Sequence, residues 1–211
     1  MIAMKSLLLF AFVSFSLSIC AQNDHYVAAM KQNMALLDSA KTTQDFQTVS
    51  HAFERIGDAE KTQWLPYYYA GLCLTTAGWI DPKLDKDANS LLVNALCDKA
   101  EAIEKNAEIY TLRNMAATQE MMVDPQTRWS TFGVTASTAM KDGLAADPNN
   151  PRLYYLQGMS LFNTPVNYGG GKDKAKPVFE KAVTLYKAFP VKPLYPTWGG
   201  KESADMLAKC Q

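Results

Sequence analysis

The stretch "NTPVNYGGGKDKAKPVFEKA" (163–182) decides how this chain is read. Three glycines followed by a lysine suggest a phosphate cradle, whereas the flanking residues suggest a turn between two helices. A P-loop needs Gly-x4-Gly-Lys followed by Ser or Thr, a strand before it and a helix after it. Here Gly171-Lys172 is followed by Asp173, so the hydroxyl that would bind magnesium is missing, and "YYLQGMSLF" (154–162) before the loop has helical spacing. The turn reading explains more residues. Each glycine inside a helix costs about 1 kcal/mol relative to alanine, so three together demand a loop. Pro165 is expected to end the helix before it, and Asp173 to cap the next by accepting its free amide hydrogens. A second reading stays open: the amides of Gly169, Gly170 and Gly171, with Lys172 and Lys174 beside them, hold a small anion or ligand, or serve an enzyme.

Outward from this loop, apolar residues recur at helical spacing almost throughout. Helices are expected over 25–40, 45–59, 64–78, 88–106, 107–122, 130–147, 151–162, 173–189 and a short last 201–210, which makes nine, paired by short turns. Pro66 falls in a first turn, where it is tolerated. Aligning Gly71, Asn114 and Gly158 puts Tyr67, Tyr110 and Tyr154 in one column, with spacings of 43 and 44 residues. One helical hairpin per fixed period signals a solenoid, in which each unit shares its core with its neighbours. The tyrosines are expected in that core. In the second helices, the column of Phe179 contains Phe53, Leu96 and Met140, all apolar.

The Tyr column, the small Gly71 or Gly158, and Ala175-x3-Phe179-x2-Ala182 together resemble the tetratricopeptide repeat (TPR). The period is longer than the usual 34 residues, and Asn114 stands where a small residue is expected. "VDPQTRW" (123–129), "DPNNPRLYYLQGMSLFNTP" (147–165), "GGGKDKAKPVFEKA" and "PTWGGKE" (196–202) also resemble a group of small exported TPR-like proteins of Gram-negative bacteria. That likeness implies an all-α, TPR-like helical-hairpin solenoid over 22–211 with a short C-terminal capping helix. It speaks for fold and export more than for activity. In TPR-like arrays the first helix of each pair lines a concave groove. The resemblance places Tyr68, Leu72, Thr111, Met115, Tyr155 and Met159 there, with Arg152 and Phe162 on the same stripe. The function it implies is a non-catalytic scaffold that binds a peptide or partner protein. The alternative is that the chain's own ends cover the stripe.

The remaining features bound the class. Lys+Arg and Asp+Glu are both 21, so no global basic field marks a nucleic-acid binder. Lys5 precedes the uncharged "SLLLFAFVSFSLSI" (6–19), and Ala21 offers a small residue for cleavage. This is the pattern of a secretory signal over 1–21, with lipidation at Cys20 as the rival. The expected location is the periplasm or the periplasmic face of the outer membrane, with no membrane span in the mature chain. Cys73, Cys97 and Cys210 are an odd number of cysteines at spacings that fit no metal motif, and His25 and His51 are the only histidines. No metal, cofactor or catalytic residue is expected. Trp64, Trp79, Trp129 and Trp198 are dispersed, and Glu101, Glu104 and Glu108 read as a solvated acidic edge.

Overall fold

The structure is a computed structural model that describes residues 24–211. The signal sequence and the lipidation site expected at the start of the chain lie outside these residues. The described chain is helical and contains no strand. Its helices are α1 (24–39), α2 Thr43–Glu60, α3 Leu65–Ile80, α4 Lys86–Glu101, α5 Ala107–Val123, the one-turn α6 Pro125–Arg128, α7 Val134–Ala146, α8 Pro151–Asn163, α9 Lys172–Ala188 and α10 Gly200–Lys209. A π turn, Trp129–Gly133, joins α6 to α7. Apart from α6, these are the nine expected helices.

Local chemistry sets the starts of these helices. Thr42 and Asp45 form a reciprocal capping box at α2. Asp85, Asn106 and Asn150 each accept two amide hydrogens at the starts of α4, α5 and α8. Asp173 departs from the expectation. Gly171 is the cap of α9 and makes no side-chain bond, while Asp173 lies within the first turn, where its charge favours the positive end of the helix.

The helices alternate in two rows. α1, α3, α5 and α8 open the pairs, and α2, α4, α7 and α9 close them. α3 packs between α2 and α4, α5 between α4 and α7, and α8 against α9, while α3, α5 and α8 also touch in series. α10 closes the end against α8 and α9.

The aligned columns form the core of this stack. Tyr67 and Tyr110 are buried, and their hydroxyls donate to Asp58 (2.8 Å) and Glu101 (2.7 Å), each nine residues earlier. Half-buried Tyr154 instead donates to the Pro148 carbonyl. At Gly158 an added Cβ would come within 2.5 Å of the Phe179 ring, so the missing side chain makes room for the phenylalanine. The middle pair reverses the sizes. Asn114 donates from Nδ2 to the Ala136 carbonyl at 2.8 Å, and the facing residue is that small alanine. Met140, expected in the Phe179 column, is only half-buried, because α6 and the π turn shift the register of α7. Close packing in the middle pair therefore survives the loss of glycine. Ser50, Asn89 and Gln119 lock other helices in the same way, donating to the carbonyls of Ala70, Leu74 and Thr75.

Candidate functional site

The face expected to be a groove is filled by the chain's own C-terminal segment. Tyr68, Thr111, Met115 and Arg152 are buried, and Leu72, Tyr155, Met159 and Phe162 are half-buried. A strap over 189–199 crosses the first-helix row. The Tyr69 hydroxyl donates to the Leu194 carbonyl (2.9 Å), Trp198 Nε1 donates to the Tyr68 hydroxyl (2.8 Å), and the Arg152 guanidinium donates to the Pro196 carbonyl. Tyr195 meets Trp64 edge-on at 5.6 Å, and Trp198 meets Tyr155 at 6.2 Å. At the last pair, Tyr155, Met159 and Phe162 pack around Ala175, Phe179 and Met206, beneath α9 and α10. Of the two outcomes held open for this face, the structure has the self-covered one.

Beneath the strap lies a charged pair absent from the sequence reading. Glu108 is buried, not part of a solvated edge. Its Oε1 accepts from Asn150 Nδ2 (2.7 Å) and Arg152 Nη1 (2.9 Å), whereas its Oε2 has no donor. Glu101 also leaves the expected edge, accepting from Tyr110 and Arg113 (2.7 Å each), so only Glu104 remains exposed. The signal for the buried pair was its spacing: Arg152 follows Glu108 by 44 residues, one repeat period.

The glycine loop is a closed turn. Gly169 and Gly171 have φ of 86° and 99°, the left-handed region that glycine enters without strain. The amides of Gly169, Gly170 and Gly171 donate to the carbonyls of Val166 (3.0 Å), Pro165 (3.2 Å) and Leu161 (2.9 Å). The three donors that an anion would need are therefore engaged. Lys172 and Lys174 are exposed and make no ion pair among the described residues.

The exposed apolar residues are distributed unevenly. Of twelve large apolar side chains exposed among the described residues, nine lie at or beside the turns where the first helix of each pair passes into the second; Leu91 and Leu92 lie in the second turn of α4, and Val191 lies on the strap. Leu36, Trp79, Met122 and Val166 recur there at spacings of 43, 43 and 44 residues, followed by Ile80, Val123, Trp129 and Tyr168. Exposed apolar residues gathered on one side of a fold mark a binding site more often than scattered single residues do. None of these residues was among the expected site residues.

No family model matches the chain, and no curated protein does. Among solved structures, the chain is similar to the HusA haemophore from Porphyromonas gingivalis, at 36% identity and a TM-score of 0.81. The match covers 88% of this chain and 92% of that one.

Proposed function

This chain belongs to the HusA haemophore family, and from that premise we propose that it is a non-catalytic carrier of haem or a related porphyrin. The cargo sits on the apolar edge. The observation that supports this placement is the gathering of nine of the twelve exposed large apolar side chains at that edge. A porphyrin is a flat aromatic ring system with acidic groups at its rim. The rings of Trp79, Trp129 and Tyr168 and the thioether of Met122 suit its faces. Lys83 on the α3–α4 turn, with Lys172 and Lys174 at the start of α9, suits its carboxylates. His25 begins α1 and His51 lies midway along α2, both away from this edge, so recognition falls on the macrocycle rather than on iron ligation by histidine.

Export follows from the pattern of residues 1–21, with the periplasm or the periplasmic face of the outer membrane as destination. No described helix is long and apolar enough to cross a membrane. A peptide or protein partner in the first-helix groove, and the wider TPR kinship that suggested it, have less support because the strap occupies that face.

The test is a spectral titration of the mature protein with haem and with metal-free protoporphyrin. Saturable binding of both, within about tenfold of each other, is expected. Trp79→Ala/Met122→Ala removes two contacts worth about 0.5–1.5 kcal/mol each, so a loss of about tenfold is expected with the melting temperature retained. Unchanged affinity in that variant would move the cargo elsewhere, and the absence of any Soret shift would reject the carrier reading.

A further inference from the structure

The opposite edge, where second helices return to first helices, holds a cleft of about 660 Å³. That volume lies within the usual range for small-molecule sites. The rings of Trp64, Phe189 and Tyr195 and the acids Glu104, Glu108 and Asp147 line it. Glu108 distinguishes it from a surface crevice. This carboxylate is 5% exposed, and its Oε2 has no hydrogen-bond donor. Arg152 makes no bond to it: Nη1 is engaged at Oε1 and Nη2 at the Pro196 carbonyl, and Nε, also buried without a partner, does not bond Oε2. A buried acceptor left without a donor is costly, so a donor is expected at this oxygen.

The charges around it favour a cation. Lys105 and Lys192 also line the cleft; Lys105 is turned to another partner, whereas Lys192 rests on the Tyr195 wall itself, where an incoming ammonium takes its place. Lys105 Nζ lies 3.8 Å from Glu101 and over the Tyr110 ring, and Lys192 Nζ lies 4.8 Å from the Tyr195 ring centre. Glu104 and Asp147 form no ion pair among the described residues. An acid floor beside aromatic walls favours an ammonium through charge and through the negative faces of the rings.

We infer that this cleft is a second ligand site, specific for an organic ammonium: a primary amine carried on an apolar or aromatic body, its nitrogen at Glu108 and its body against Trp64, Phe189 and Tyr195. The site is separate from the porphyrin edge. α5 has 17 residues, so its two ends, one at each edge, lie about 25 Å apart at 1.5 Å per residue.

The probes are 2-phenylethylamine and N-acetyl-2-phenylethylamine, titrated calorimetrically into the mature protein. The amine is expected to bind, and the uncharged amide to bind at least tenfold more weakly. Glu108→Gln should remove that preference. If Glu108→Gln does not fold, Phe189→Ala keeps the test open, since Phe189 is only half-buried and lies outside the ion pair; it should weaken amine binding several-fold. Equal binding of both probes, or binding of neither, overturns the proposal. A haem titration repeated at saturating amine should give the same affinity, and competition would overturn the separateness of the two sites. Failure of haem to bind would leave the amine result standing.

Discussion

Arg152 Nη1 donates to Glu108 Oε1 across 2.9 Å, and both side chains are under a tenth exposed. The pair joins the starts of α5 and α8, and through the Pro196 carbonyl it also holds the strap. The rings of Trp198, Phe189 and Tyr186 surround the guanidinium, with centres 5.4, 5.5 and 5.9 Å away. Burying two charges is costly, so the net worth of the intact pair is small, but removing one partner strands the other. Arg152→Met is therefore expected to cost about 3–5 kcal/mol in urea denaturation. Arg152→Met combined with Glu108→Gln should recover much of that loss. If the double variant were as unstable as the single one, packing of the guanidinium rather than its charge would be the main contribution.

Phe179 and Gly158 make the same test from the packing side. Phe179 is fully buried, and its ring fills the space beside Gly158. Phe179→Ala is expected to cost about 3–5 kcal/mol through lost burial and the cavity left behind. Gly158→Ala should cost about 1–3 kcal/mol by forcing the ring aside. Thermal melts of both variants check this, and a neutral Gly158→Ala would mean that the ring has room the structure does not show.

The three thiols give a chemical readout. Cys73, Cys97 and Cys210 are buried and unpaired. Burial pushes the Cys73 and Cys97 thiols up to about 12, so at pH 8 both remain protonated and unreactive. Ellman's reagent at pH 8 should label neither in the native protein and should label all three cysteines of residues 24–211 in guanidinium. Reducing agent should leave the melting temperature unchanged. A fall of more than about 5 °C would reveal a stabilising bridge worth several kcal/mol.

The helices are legible in the sequence because their apolar spacing is local, and the tyrosine column because its period repeats. The strap is not legible, for two physical reasons. Its contacts join residues far apart in sequence, 125 for Tyr69 to Leu194 and 130 for Tyr68 to Trp198. Several of its acceptors are backbone carbonyls, which carry no side-chain signature. Glu108 reads as surface charge until its partner one period later is recognised. The apolar edge was hidden differently: Trp79 and Met122 continue the helical pattern of buried neighbours, and only the ending of α3 and α5 leaves them half-exposed.

The strap itself separates the two views of where the cargo binds. Trp198 Nε1 supplies a hydrogen bond to the Tyr68 hydroxyl, and burial holds the pKa of that hydroxyl well above its ordinary value. Trp198→Phe keeps a ring against Tyr155 and removes the donor. Leaving a buried hydroxyl with one partner fewer should cost about 1–3 kcal/mol. Hydrogen exchange is expected to quicken across 189–199, because the strap has lost one of its few anchors. Porphyrin affinity should stay within about twofold of the parent, since the strap lies on the first-helix face and the apolar edge lies at the helix ends. If loosening the strap instead raised porphyrin affinity several-fold, the strap would be a competitor for the site. The cargo would then belong beneath it, among Tyr68, Tyr155 and Met159, and the edge would lose its assignment.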